Sequence, residues 1–259
     1  MGILNVTPDS FSDGGRYRQR DAALRQAEQM IAEGAAIIDI GGESSRPGAE
    51  PVSEAEELDR VIPVIEALAA QSEAVISVDT VKPGVMRAAC AAGAHWINDI
   101  AALRAEGALA AAADTGAAVC LMHMQGLPQD MQRDPRYDNV VPEVLAFLDA
   151  RVAACRAAGI ADERLVLDPG IGFGKRLQDN LALLAGLPRL VARGFPVLIG
   201  VSRKSLFGQL LGLPVGERLS AGLAATAIAV YQGASILRTH DVRATVQAVA
   251  VAKALREAR

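Results

Sequence analysis

Short, uninterrupted apolar runs recur along the chain, and each ends in side chains that are charged or form hydrogen bonds. Residues 2–4 end in Asn5, and residues 36–40 run into Gly41-Gly42-Glu43-Ser44-Ser45-Arg46-Pro47-Gly48. Residues 74–78 lead to Asp79-Thr80, 96–97 to Asn98-Asp99, and 119–122 to His123. Residues 165–167 lead to Asp168-Pro169-Gly170, 197–201 to Ser202-Arg203-Lys204-Ser205, and 235–237 to Arg238-Thr239-His240. Runs this short and this continuously apolar predict strands buried on both faces, hence a parallel sheet.

Between the runs lie Ala-rich stretches with helical periodicity: 21–33, 53–70, 82–92, 138–158, 180–193, 220–232 and 242–256. Glycine follows several of them, at Gly34, Gly93, Gly159, Gly194 and Gly233, where helices commonly end. Eight strands alternating with helices in 259 residues predict a single-domain (β/α)8 TIM barrel, for which about 250 residues is typical. Functional groups of that fold gather at the carboxyl ends of the strands, where the polar clusters fall here. A doubly wound open sheet is the alternative, and it does not require a polar cluster after every strand.

Composition narrows the partners. With 51% hydrophobic residues the chain can bury one large core, and with only 3% aromatic ones aliphatic side chains must fill it. A net charge of −4 argues against a nucleic-acid backbone as ligand. No apolar stretch approaches the roughly 18 residues of a membrane span. Cys90, Cys120 and Cys155 show neither disulfide nor zinc spacing, which fits a reducing cytoplasm.

Two look-alikes are set aside. Gly170-Ile171-Gly172-Phe173-Gly174-Lys175-Arg176 suggests a nucleotide loop, but its first glycine is one residue too close and Arg176 replaces the magnesium-binding hydroxyl. His123 has no His or Cys at ligand spacing and reads as a hydrogen-bonded rim residue.

The rest of the mouth suggests two subsites. Asp79, Asn98 and Asp168 offer acceptors with one amide donor, which suits a flat heterocycle carrying an amino group and ring N–H groups. Helix capping by Asp79 and a turn at Asp168-Pro169 are the plainer readings. The second cluster is basic. Arg203, Lys204, Arg238 and His240 follow the seventh and eighth strands, the common phosphate site of this fold; surface ion pairing by Arg203 and Lys204 is the alternative. Barrel closure would bring Asn5 beside Arg238 and His240. Asn5 and the carboxylates Asp9 and Asp13 precede Gly14-Gly15, a set that suits a hard cation beside a mobile hinge or, more plainly, a strand-to-helix loop. Gly41-Gly42 predicts a second hinge.

In this order the motifs 5–15, 41–48, 77–80, 98–100, 122–126, 168–175, 202–205 and 238–240 resemble the dihydropteroate synthase family across essentially the whole chain. The resemblance implies an Mg2+-dependent, cytoplasmic, homodimeric transferase of folate synthesis that sulfonamides inhibit. It would condense 6-hydroxymethyl-7,8-dihydropterin diphosphate with p-aminobenzoate. By position, Asp79, Asn98, Ile100, Met122, Asp168, Phe173 and Lys204 would hold the pterin. Asn5, Arg238 and His240 would take the diphosphate, with Asn5 and Asp13 on the metal. Phe11, Ser45, Pro47, Lys204 and Ser205 would form the p-aminobenzoate site, and Asp79, Lys204, Asp13 and Arg46 would serve catalysis. Ser45 stands where the family usually has Thr, and Arg176 where Thr is common. The family also carries a segment ahead of the first strand, at the barrel floor, where residues serve stability. Two further readings share the motifs: a pterin-binding methyltransferase domain and a non-catalytic paralogue.

Overall fold

The computed structural model of the chain describes residues 1–7, 16–46 (side chains from residue 20 onward) and 48–258. Phe11, Asp13 and Pro47 therefore lie outside the described residues, as does the expected hinge at Gly14-Gly15.

Among the described residues, eight parallel strands alternate with helices. They are β1 (Gly2–Asn5), β2 (Ile37–Gly41), β3 (Val75–Asp79), β4 (Trp96–Asp99), β5 (Ala118–Met122), β6 (Leu165–Asp168), β7 (Leu198–Ile199) and β8 (Ile236–Leu237). The helices are α1 (Arg16–Ala32), α2 (Glu54–Gln71), α3 (Pro83–Ala91), α4 (Ala108–Thr115), α5 (Val140–Ala157), α6 (Leu177–Ala185), α7 (Leu187–Val191), α8 (Ser205–Leu211), α9 (Leu219–Tyr231) and α10 (Val242–Glu257). Strands β1 to β6 pair in sequence order, and β7 pairs with β8. Parallel bridges Leu167↔Val197 and Gly2↔Thr239 join these two groups into a closed barrel. At the seam, Ile3 N–H donates to Thr239 O and Thr239 N–H to Met1 O, each at 3.0 Å.

Local signals explain the elements. Ser53 caps α2 by accepting from Glu56 N, and Glu54, Glu56 and Glu57 place negative charge in its first turn. Pro83 opens α3, where its missing N–H costs nothing. The expected glycine stops hold: Gly34, Gly93, Gly159, Gly194 and Gly233 all adopt positive φ. Three expectations change. The helix expected over 180–193 is broken at Gly186, because Pro188 cannot continue the backbone ladder of α6. Helices α4 and α8 are additional. The seventh and eighth strands shrink to two residues each.

Period-two alternation sorts each strand between two cores. The outward face, with Ile38, Ile76, Ile97, Leu121, Leu167 and Ile199, packs under the helices in the main core. The inward face carries Trp96, Cys120, Val166 and Leu198, with Met1, Ile37, Ala118 and Ile236 against them. Two residues further along the same face come Asp39, Asn98, Asp168 and Arg238. The barrel is thus plugged by apolar side chains at its amino end and polar at its carboxyl end.

Trp96 is the largest member of that plug and is 7% exposed. Trp96→Ala is expected to cost roughly 3–5 kcal/mol of unfolding free energy through the cavity it leaves, and Trp96→Phe well under half of that. Urea unfolding followed by circular dichroism checks both values; equal costs would mean that the plug does not depend on the indole's bulk.

Candidate active site

Strand register brings the polar ends together. Asn5 lies opposite Gly41, Gly41 opposite Asp79, and Asp79 opposite Asn98. Met122 lies opposite Asp168 two pairs further round, between β5 and β6. A single cavity is lined by Asp79, Asn98, Ile100, Met122, Asp168, Phe173, Lys204, Arg238 and His240, with Ile3, Ser45 and Ser202 at its edges. Asn5 stands half-buried at the end of β1, beside Gly41. Both expected subsites therefore open into one space. A second cavity of about 480 Å³ adjoins it beneath the loops after β2, β4 and β5, and shares Ser45, Asp79 and Ile100.

One ionic network organises the floor. Asp39, 1% exposed, accepts from Ser77 Oγ at 2.6 Å, from Asn98 Nδ2 at 3.1 Å and from Arg238 Nε at 2.6 Å. Arg238 then donates through Nη2 to Asp79 at 2.7 Å. Arg238 thus touches the heterocycle carboxylate directly, although the sequence places the two in separate subsites. Burial raises the Asp79 pKa to about 7; Arg238 pulls it down and Asp39 pushes it up. The reading of Asp79 as a helix cap fails, because Lys82 occupies the cap position of α3.

Asp168 is both a turn former and a site residue. Its Oδ1 accepts from Gly170 N at 2.7 Å, and burial raises its pKa. Lys204 reaches over the Phe173 ring, 4.0 Å from its centroid, and donates to Ile171 O at 2.5 Å. Burial lowers the Lys204 pKa to about 7 even though Asp168 favours the charged form. His240 shares a hydrogen bond between its Nδ1 and Ser202 Oγ at 3.0 Å. Burial and then Arg203 hold the imidazole at about 4, so it is neutral at pH 7. At Lys204 and His240 the cluster is therefore less basic than its composition suggests, because desolvation disfavours both charges, whereas Arg238 keeps its charge beside Asp39 and Asp79. Arg203 turns its side chain to the surface and pairs with Asp241 at 2.7 Å, close enough to act on His240 only through its charge. Ser205 is exposed at the start of α8, and Arg46 is exposed on the loop after β2.

The expected hinge at Gly41-Gly42 is not one. Gly41 belongs to β2, and Gly42 is pinned by Arg60 Nη1 donating to its carbonyl at 2.7 Å. A Cβ on Gly42 would lie 2.8 Å from Val61 Cγ1, so the glycine serves close packing. Lys82 adds ion pairs to Glu43 and Glu57. The loop after β2 is thus anchored as far as Glu43. His123 is also relocated. It is buried, its ring packs edge-on against Phe147 with centroids 4.8 Å apart, and it faces Lys175 at 2.9 Å.

Sequence reasoning missed Asp39 and Ser77, which were read as parts of apolar runs. The signal was present: a carboxylate inside an isoleucine-rich strand is buried only with a partner. Lys175 was missed because the loop was compared with a nucleotide loop and with the family motif, and only Asp168 and Phe173 drew roles from it.

The chain matches one protein family, described as pterin binding enzyme, over residues 1–240. It is 56% identical over 254 residues to the dihydropteroate synthase of Escherichia coli strain K12, across 98% of this chain and 90% of that protein. The Yersinia pestis dihydropteroate synthase in complex with a sulfonamide drug superposes with a TM-score of 0.94 at 53% identity, covering 99% of this chain and 94% of that one. The Xanthomonas albilineans dihydropteroate synthase bound to 7,8-dihydropteroate gives 0.89 at 50% identity, covering 99% and 92%.

Asp39 is expected to control both stability and ionisation here. Asp39→Ala leaves Arg238 buried with one partner and is expected to cost about 3–5 kcal/mol in urea unfolding. Asp39→Asn removes the charge that pushes Asp79 upward, so the Asp79 pKa should fall below its present value of about 7. Carboxyl-carbon NMR titration reads that shift, and an unchanged or higher value would refute the coupling.

Proposed function

The chain belongs to the pterin binding enzyme family, and from that premise we infer that it is a dihydropteroate synthase. It is a transferase of folate synthesis that condenses 6-hydroxymethyl-7,8-dihydropterin diphosphate with p-aminobenzoate, releasing 7,8-dihydropteroate and diphosphate. The observation that carries this reading is identity of 56% over 98% of the chain. The placement of acceptors and cations around one cavity supports it. Sulfonamides would compete at the same site. A methyltransferase or a non-catalytic paralogue gives no evident role to Lys204, Arg238 and His240 lining that cavity.

The residue roles follow from the chemistry of the substrates. The pterin's amino and ring N–H groups would donate to Asp168 and Asp79, with Asn98 bridging between donor and acceptor. Met122, Ile100 and Phe173 would flank the ring, and Lys204 would supply a donor from above. As the C–O bond to diphosphate breaks, positive charge spreads over the ring and negative charge gathers on the leaving group. Asp79 would stabilise the first charge, and Arg238 with His240 the second. The neutral aniline nitrogen of p-aminobenzoate then attacks the methylene carbon without a strong base. Phe11, Ser45, Pro47 and Ser205, with the Lys204 stem, would form its site, closed over by Arg46.

Mg2+ would be the cofactor. Asn5 offers a hard amide oxygen at the end of β1, and Asp13 would add a carboxylate. Such a sparse set fits an ion that takes one or two protein oxygens and completes its shell with phosphate and water. The bound ion would supply neutralising charge to the departing diphosphate. A homodimer is supported by exposed apolar side chains on adjoining helices: Ile228 on α9, and Val246, Val251 and Leu255 on α10. A cytoplasmic location is supported by three free thiols. No helix among the described residues is long and apolar enough to cross a membrane.

Two experiments test this reading. Mixing both substrates with the protein should release diphosphate, EDTA should stop release and Mg2+ restore it. Arg238→Ala should lower kcat by about 10²–10³ if it stabilises the leaving group. Failure to release diphosphate from the two substrates would refute the activity. The second experiment is calorimetry with 6-hydroxymethylpterin across pH. Burial brings the pKa of Asp79 up and that of Lys204 down to about 7 in this cavity. Below that pH, binding should release the Asp79 proton; above it, binding should load a proton onto Lys204. Affinity should peak near 7, and the buffer dependence of the heat should change sign there. Proton exchange of one sign throughout would contradict one of the two roles.

A further inference from the structure

The loop between β6 and α6 is held in an unusual way. Four consecutive carbonyls each accept from a side chain: Ile171 from Lys204 at 2.5 Å, Gly172 from Gln132 at 2.6 Å, Phe173 from Lys175 at 2.9 Å and Gly174 from Tyr137 at 2.7 Å. Gly170, Gly172 and Gly174 adopt positive φ, and this alternation turns the carbonyls toward different donors. The loop is also pressed against the segment after β5. A Cβ on Gly170 would lie 1.9 Å from His123 O, and one on Gly174 would lie 2.3 Å from Gln125 O.

Lys175 is the buried member of this donor set, 3% exposed. Its Nζ reaches three acceptors: His123 Nδ1 at 2.9 Å, His123 O at 3.2 Å and Phe173 O at 2.9 Å. Burial lowers the Lys175 pKa to about 7, although Asp168 favours the charged form, and in its protonated form all three N–H bonds are used on protein atoms. The sequence resembles a phosphate loop, but the lysine points into the protein. Burial and then the Lys175 charge hold the His123 imidazole at about 3, which leaves it neutral and Nδ1 free to accept. The His123 ring is fixed in turn by Phe147, and the backbone N–H of His123 donates to Asp168 O at 3.0 Å. The bonds from Lys175 therefore tie the segment after β5 to the loop that carries Ile171 and Phe173.

We propose that Lys175 is a positioning residue for the pterin substrate: it locks the loops after β5 and β6 into one rigid wall that holds Phe173 and Ile171 in place beside Asp168. The proposal rests on the pterin reading of this cavity. Lys175 lies behind the wall and acts through it. An unbranched apolar residue such as Met, lacking the terminal donor, would leave buried carbonyls unpaired and let the loop relax away from the ring.

The test is 6-hydroxymethylpterin binding by calorimetry, with steady-state kinetics, on Lys175→Met, Lys175→Arg and His123→Phe. Lys175→Met should weaken pterin binding and raise the KM for the pterin substrate about tenfold or more, since small displacements of positioning groups have large effects. The KM for p-aminobenzoate should stay within about twofold if the wall serves the pterin alone. His123→Phe removes one acceptor and keeps the packing, so its loss should be intermediate; Lys175→Arg should recover part of the affinity. In a cycle with Phe173→Ala, the two losses should fall short of adding, because Lys175 acts through that ring. A lower Tm with wild-type pterin affinity in the folded variants would overturn the proposal and leave Lys175 a stability residue only. If Lys175→Met does not fold, Lys175→Arg and His123→Phe still decide the question. Absence of pterin binding by the wild-type protein would instead refute the functional reading beneath it.

Discussion

Closure of the barrel between β8 and β1 is the constraint on which the site depends. The bonds Ile3 N–H to Thr239 O and Thr239 N–H to Met1 O, each 3.0 Å, seat Arg238 across the ring from β2 and β3. Only there can one guanidinium reach Asp39 and Asp79, residues 199 and 159 positions away in sequence. Such a buried ion pair adds little net stability, because desolvation offsets most of the attraction. Its value is geometric: Asp39 aligns Ser77, Asn98 and Arg238 at once, and Arg238 orients Asp79. Opening the seam would leave those charges without partners, so the barrel's closure and the floor of its site stand or fall together.

Burial also tunes the chemistry. Inside this cavity it moves Asp79 up and Lys204 down until both titrate near 7, and it keeps His240 neutral. A site for a substrate that becomes cationic while losing an anion benefits from groups poised in this way. Groups held near neutrality can also exchange a proton as charge develops beside them, which the permanently charged Arg238 cannot. The walls are correspondingly firm. The loop after β6 is tied by four side-chain donors, and the base of the loop after β2 by Arg60 and Lys82. Any movement of the β2 loop that admits p-aminobenzoate must therefore begin beyond Glu43.

The amino-acid sequence by itself determined the strand and helix alternation, the (β/α)8 class and most of the lining. Those features are local: a short apolar run of two to five residues reads as a buried strand, and the next polar residue reads as its rim. Asp79, Asn98, Asp168, Lys204, Arg238 and His240 were legible for that reason, and all of them line one cavity. Only the tertiary structure decided which of them touch, because contact across a barrel depends on register and closure, which local periodicity does not encode. It placed Arg238 against Asp79, sent Arg203 to the surface with Asp241, and turned Gly42 from a hinge into a packing contact. It also brought in Asp39 and Lys175, whose roles come from partners 199 and 52 residues distant. Ionisation was decided at the same level. A residue type gives an ordinary pKa, whereas the burial that moved Lys204 to about 7 and His240 to about 4 belongs to the folded cavity.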